Sequence, residues 1–418
     1  MSKTKPFHIP KKDVWQAYLR VKENKGAAGV DDQSMTDFEV KLKDNLYKLW
    51  NRMSSGTYFP PPVRMVSIPK KSGGERHLGI PTVTDRIAQT VVLMQLEPLV
   101  DPHFDPDSYG YRPKKSAHDA ISTCRERCWK RKWVVDLDIK GFFDNIDHAL
   151  LVKAVSKFTN NKVVMFHMER WLTAPIQKTD GTLEPRTLGT PQGGVISPLL
   201  ANIFLHFVFD KWIRRNHPQA QFERYADDII VHCWSKSEAE SLKLSIEARL
   251  AHCKLSLNPK KTQIVYCGLA KESIVYPIRC FDFLGYTFRR RLSFNSKTKQ
   301  GFVSFLPAIS NSAKNSIRNT IREWRLTRKT TLSIEEIAKQ TNPQVRGWMN
   351  YCGKFHRSEL TMLLFQIERH LRRWAQRKFA TNTGKTSKER ARRYVGSVFK
   401  HKPKLFIHWQ YGMSSPAK

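Results

Sequence analysis

Two groups of carboxylates are the residues most able to do chemistry. Asp136-Leu-Asp138 runs into IKGFFDNIDH, and about 90 residues later YADD sets Asp227 and Asp228 side by side between apolar stretches. Hard divalent cations such as Mg²⁺ prefer carboxylate oxygens and keep waters for exchange with phosphate. Phosphoryl transfer uses two such ions, one at the attacking oxygen and one at the leaving group. An adjacent Asp pair at a tight turn can aim both side chains at one point, and an Asp on a neighbouring strand can complete the clamp. The same pair is also what an ordinary turn contains, because Asp favours turns. Asp136 shares a strand face with Asp138 and reads as its support.

Other residues suit phosphate or nucleotide. Lys70 and Arg76 flank Gly73-Gly74 on a basic hairpin, which either closes over an anion or is simply an exposed turn. Between the two acidic groups lies TPQGG, where Gly193 and Gly194 permit close backbone approach to a ligand.

The elements that must position these groups follow from periodicity. Residues 12–24 read as an amphipathic helix with Val14, Tyr18 and Val21 on one face. NKGAAGVDD (24–32) is a turn, and a second helix runs on through Leu49. RMVSI (64–68) alternates like a strand, residues 71–76 form a hairpin turn, and 84–99 are helical. Residues 132–139 form a strand, 222–231 a strand, acidic turn and strand, 237–253 a helix, and 278–289 a hairpin. From about Ser310 the pattern is helical and strongly basic.

The 418 residues suffice for two to four domains. There are 72 Lys and Arg against 37 Asp and Glu, a net of +35, which marks a polyanion as partner. The last 108 residues carry 24 of these cations and 6 acids, a net of +18, so half of the excess sits in one appendage. No apolar run approaches the roughly 18 residues of a spanning helix, and no apolar signal segment opens the chain, so a membrane is not expected. Seven cysteines without a CxxC pair argue against zinc fingers and a disulfide framework, and for a reducing compartment.

Taken together, these blocks resemble the group II intron-encoded reverse transcriptase/maturase family. DIKGFFDNIDH (138–148) is similar to its first acidic motif, and TPQGGVISPLLANI (190–203) to its nucleotide- and template-holding segment. YADD is similar to its catalytic turn, and LSLNPKKTQIV (255–265) and FDFLGYTF (281–288) to its later palm motifs. Upstream, NKGAAGVD, RMVSIPKKSGGERHLGIPTVTDR and SYGYRPKKSAHDA resemble the extended N-terminal and fingers blocks. TNPQVRGWMNYCGKFH (341–356) and PKLFIHW (403–409) resemble the maturase domain. The resemblance is collinear from about Asn24 to Trp409.

It implies an α+β right-hand polymerase fold, with fingers and palm built on antiparallel sheet, followed by an α-helical thumb/maturase domain. The implied divisions are 1–50 (N-terminal extension of the fingers), 51–135 (fingers), 136–295 (palm) and 296–418 (thumb/maturase). The implied activity is RNA-directed DNA synthesis with two Mg²⁺ ions, for which Mn²⁺ can substitute. Asp138, Asp227, Asp228 and the Ile139 carbonyl are the metal ligands. Lys70 and Arg76, with Arg64 nearby, hold the triphosphate. Phe143 is the steric gate against a 2′-hydroxyl, with Phe142 in the core. Gln192 contacts the nucleotide near its sugar, and Lys261 is a candidate proton donor to pyrophosphate. Arg112 is a candidate template or nucleotide contact, and Arg346, Lys354, Arg372, Arg373 and Arg377 are candidate RNA contacts. Trp348 and Trp374 are expected in the helical core. The implied partners are template RNA, an intron RNA, DNA primer or target, and dNTPs, in a bacterial cytoplasm or at the nucleoid. No HNH-type pattern is seen, so second-strand cleavage is not expected. Two other readings are a domesticated relative in defence or repair, and a splicing cofactor with little polymerase activity.

Overall fold

The computed structural model describes residues 5–69, 74–269, 276–294, 298, 300–380 and 384–411. The chain divides into two compact units, residues 1–127 with 131–264 and residues 128–130 with 265–418. The expected divisions near 50 and 135 both fall inside the first unit, and that near 295 falls inside the second. Lys70 and residues 71–73 of the hairpin turn expected at 71–76 lie outside the described residues.

The first unit opens with α1 (Lys11–Glu23), which buries Val14, Ala17, Tyr18 and Val21 as its period predicts. The single helix expected next is two. α2 (Met35–Val40) starts at a Ser34–Asp37 capping box, and α3 (Leu42–Ser54) follows a break at Lys41. The Asn45 side-chain amide donates to the Phe38 carbonyl at 2.9 Å, satisfying a group that the break leaves without a helical partner. β1 (Val63–Pro69) and β2 (Glu75–Ile80) pair antiparallel with Ile68 opposite Arg76. β1 also pairs in parallel with β4 (Ile176–Gln177), which pairs antiparallel with β5 (Leu183–Glu184). This sheet, expected to be antiparallel, is therefore mixed.

α4 (Val83–Val100) is buried on nearly every face and packs on α1. Its buried Asp85 accepts from the Tyr58 hydroxyl (2.8 Å), Trp171 Nε1 (2.7 Å) and Gln89 Nε2 (2.9 Å). Gln89 Oε1 in turn accepts the Ile196 amide at 3.2 Å, tying α4 to the start of α8 (Ser197–Leu205). Trp171 lies on α7 (Lys162–Thr173).

A four-stranded sheet carries the acidic motifs, in the order β6 (Gln221–Tyr225), β7 (Asp228–Cys233), β3 (Trp133–Asp138), β8 (Gln263–Tyr266). Val134, Val135, Leu137, Ile229, Ile230 and Val231 form its buried centre. α10 (Lys236–His252) packs on β3 and β7, and the unit also contains α5 (Ala117–Lys130), α6 (His148–Val155) and α9 (Lys211–Asn216).

In the second unit, β9 (Cys280–Phe283), β10 (Tyr286–Phe294) and β11 (Gly301–Ile309) form an antiparallel sheet. α11 (Asn311–Glu323), α12 (Ile334–Cys352), α13 (Ser358–Lys378) and α14 (Gly384–His401) follow. Ile309 shares one core with Ile317, Ile337, Leu363, Leu371 and Val395, so sheet and helices bury a common apolar face. Trp374 is fully buried and donates to the Lys329 carbonyl at 2.9 Å, while Trp348 stacks on Trp324. The tail around Ile407 docks through Asn342, which donates to the Leu405 carbonyl and accepts the Ile407 amide.

Candidate active site

Antiparallel pairing of β3 and β7 sets Asp138 directly opposite Asp228. Cross-strand partners project on one face of the sheet, so these carboxylates face the same way. Asp227 sits at the turn between β6 and β7, after Ala226 in the left-handed region (φ 57°). Burial pushes the Asp227 carboxyl up, the charge on Asp138 adds to this, and Arg76 and Lys261 oppose it. Two carboxylates and two cations thus converge at this turn. Lys261 Nζ lies 3.2 Å from Asp138 Oδ1.

Ile139 forms an antiparallel bridge with Leu257, in which the Lys140 amide bonds the Ser256 carbonyl and the Asn258 amide bonds the Asp138 carbonyl. That is the non-hydrogen-bonded type of pair, so Ile139 turns its own carbonyl away from this segment, toward the β7 side. Carboxylates that repel each other beside an oriented carbonyl suit a hard divalent cation. Asp136 accepts from Gln263 Nε2 at 3.0 Å.

The TPQGG loop lies against the turn that follows β3. The Thr190 amide donates to the Phe143 carbonyl (2.8 Å) and the Gly189 amide to the Ile146 carbonyl (2.8 Å). Gly189 has φ 77°, and a Cβ there would come within 2.7 Å of the Phe143 and Asp144 carbonyl oxygens, so the contact requires glycine. Phe142 is 2% exposed and Phe143 9%, with rings edge to face at 5.3 Å. Gln192 accepts from Arg76 Nε at 2.9 Å and directs its amide at Asp144, 3.4 Å away. A polar chain therefore joins β2, the TPQGG loop and the turn bearing Phe143.

Not every expected residue comes to this place. Arg64 shares the sheet face of Arg76 but lies four residues along β1 from its register position, about 13 Å at strand rise. It pairs with Asp32 at 2.6 Å. Arg112, the candidate template or nucleotide contact, is tied into its own loop. Its Nε bonds Asp101 Oδ1 (2.7 Å), Nη1 bonds the Asp105 and Ser108 carbonyls, and Nη2 bonds the Asp101 carbonyl. Every guanidinium nitrogen is committed to holding this loop. In the second unit Arg346, Lys354, Arg373 and Arg377 are exposed, whereas Arg372 is half-buried and pairs with Glu368 at 3.4 Å. Arg369, which the sequence reading missed, is exposed one turn before Arg373, so Arg369, Arg373 and Arg377 form one stripe on α13.

Sequence reasoning also missed groups beside the turn. Tyr111 is one: burial pushes its hydroxyl up, with the charge of Asp227 adding to it. Arg224 is another, a charged residue on an otherwise buried strand; such a charge needs a counter-charge inside, and that signal was readable.

Comparison with known proteins accords with this geometry. The model described as reverse transcriptase (RNA-dependent DNA polymerase) matches residues 68–288, and that described as group II intron, maturase-specific domain matches residues 314–395. Protein YkfC of Escherichia coli (strain K12) is 35% identical over 58% of this chain and 73% of its own length. Group II intron-encoded protein LtrA of Lactococcus lactis subsp. cremoris is 29% identical over 81% of this chain and 68% of its own. A putative COX1/OXI3 intron 1 protein of Saccharomyces cerevisiae is 27% identical over 59% of this chain and 36% of its own. With the polymerase model spanning just over half of its residues, the chain belongs to the reverse transcriptase (RNA-dependent DNA polymerase) family, in its group II intron-encoded branch: it is an RNA-directed DNA polymerase followed by a maturase-specific domain.

Proposed function

We propose that the carboxylates at the β3–β7 end extend a DNA primer on an RNA template, by attack of the primer 3′-hydroxyl on the α-phosphate of a dNTP. The observation that carries this reading is the register of Asp138 against Asp228, with Asp227 at the adjoining turn facing Lys261 and Arg76. Asp138, Asp227, Asp228 and the Ile139 carbonyl would hold two Mg²⁺ ions, or Mn²⁺ in their place. When bound, such ions activate the attacking oxygen and neutralise charge on the leaving group. Arg76 binds the triphosphate, aided by Lys70, by exchanging its bond to Gln192 for one to phosphate. Gln192 then orients the sugar, and Phe143 excludes a 2′-hydroxyl by occupying its space. Lys261, within reach of Asp138, supplies a proton to the departing pyrophosphate.

The match over residues 314–395 and the arginine stripe on α13 support a second role for the same chain. There, exposed guanidinium groups track the phosphates of a folded intron RNA and assist its splicing. Intron mobility would draw on both activities. Among the described residues no helix is long and apolar enough to cross a membrane.

Primer extension tests the first role. Wild-type protein with RNA template, DNA primer, dNTPs and Mg²⁺ should extend the primer, and Asp227→Ala should not. Splicing of a cognate intron in the same variant tests the second: it should persist. Extension by Asp227→Ala at the wild-type rate would overturn the assignment of the site.

A further inference from the structure

Arg224 lies on β6, three residues before Asp227, with none of its surface exposed. Its Nε and Nη2 form a two-pronged pair with Asp210, at 2.7 Å to Oδ1 and 2.6 Å to Oδ2. Its Nη1 donates to Asn202 Oδ1 at 2.9 Å and to the Ala226 carbonyl at 3.1 Å. The Asn202 amide donates to the Gly110 carbonyl at 2.7 Å. Gly110 lies so close to the turn that a Cβ on it would sit 2.4 Å from the Ala226 amide nitrogen. The turn is thus gripped on both sides of Ala226, by a guanidinium at its carbonyl and by glycine backbone at its amide.

Ala226 needs such a grip. It holds φ 57°, a left-handed conformation that is unfavourable for an L-residue and persists only where its surroundings impose it. Asp210 is aimed by an unusual element. Residues 206–210 form a single π-helical turn after α8, and Arg249 takes up the Phe207 and Val208 carbonyls at 3.1 and 3.0 Å. One extra residue per turn re-aims the following side chain, and such bulges cluster at functional sites. Stability alone is a poor reason for the ion pair, because a buried pair often contributes less than well-packed apolar residues would.

We infer that Arg224, Asp210 and Asn202 are positioning residues for the polymerase reaction: they impose the left-handed turn at Ala226 and so set Asp227 against Asp138. This rests on the proposed role of those carboxylates. The network touches no substrate, so losing it should slow the chemical step and raise the Mg²⁺ requirement while leaving nucleotide and template affinity intact.

The test is steady-state primer extension with Mg²⁺ titration, on wild type, Arg224→Lys and Asn202→Ala. Lysine keeps the charge but cannot bond Asp210, Asn202 and Ala226 together. Each variant should lower kcat and raise the half-saturating Mg²⁺, by about 10-fold to 100-fold for Arg224→Lys and less for Asn202→Ala, with KM for dNTP within about 3-fold of wild type. Adding Ala226→Gly to Arg224→Lys should recover part of the loss, because glycine adopts the left-handed turn without a steric penalty. Should Arg224→Lys fail to fold, Asn202→Ala, which leaves the Asp210 pair whole, carries the test. Variants with wild-type kcat and Mg²⁺ requirement but lower Tm would overturn the inference and leave the network a stabilising one. An inactive wild type would instead overturn the polymerase reading of the site.

Discussion

Replacing Phe143 by valine should admit ribonucleotides, whereas the same change at Phe142 should not. The two rings touch edge to face at 5.3 Å, but they are anchored differently. Phe142 is 2% exposed and lies 6.4 Å from the Phe204 ring, inside the core. Phe143 is 9% exposed, and its carbonyl is bonded to Thr190 of the TPQGG loop, two residues before Gln192. Forcing a 2′-hydroxyl against a ring that cannot move resembles overpacking a core, which costs about 1–3 kcal/mol. At tenfold per roughly 1.4 kcal/mol, Phe143→Val should relax the dNTP-to-rNTP ratio of kcat/KM by about 5-fold to 150-fold. Truncating either ring also removes buried carbon, so each variant should lose about 2 kcal/mol of stability, Phe142→Val the more. Single-nucleotide extension with a dNTP and its matching rNTP reads the ratio, and urea unfolding reads the stability. A folded Phe143→Val with wild-type selectivity would refute the reasoning, as would greater relaxation in Phe142→Val.

Asp138→Asn should cut primer extension by about 10²–10³-fold or more, since it removes charge from the metal-holding face; RNA binding, measured by filter retention, should be unchanged. Arg112→Ala should cost about 3 kcal/mol of stability in urea titration, because it strands Asp101 and several loop carbonyls, yet leave the KM for template unaltered once folded. Burial pushes His167 and His206 down to about 4, against roughly 6.5 in an unfolded chain. Between those values the unfolded chain binds more protons, so stability is whole above about pH 6.5 and falls as pH drops toward 4. The loss should be about 2 kcal/mol per histidine at pH 5, with His167→Phe, which fits among Phe7, Tyr58, Phe166 and Trp171, removing its share. Equal stability at pH 5 and pH 7 would contradict this.

What was legible in the sequence was short-range. The spacing of Val14, Tyr18 and Val21 marked the buried face of α1, and β6, the YADD turn and β7 lie where FERYADDIIV reads as strand, acidic turn and strand. Some misses were also local. The break at Lys41 went unseen because an amide on Asn45, rather than a turn residue, accommodates it. The mixed sheet went unseen because β4 is two residues long and carries no pattern of its own.

By itself, the sequence determined the helix and strand periods, the order of the acidic and glycine-bearing motifs, and the excess of positive charge in the last quarter. These depend on side-chain type and on separations of a few residues. Tertiary structure alone decided which charges meet and which stay in water. Arg76 reaches Gln192 across 116 positions, Arg224 finds Asp210 across 14, and Arg112, outwardly another basic residue in a basic chain, is consumed by Asp101. The interaction of a charge is set by its distance to a partner and by how far water is excluded between them, and both exist only once the chain has closed on itself.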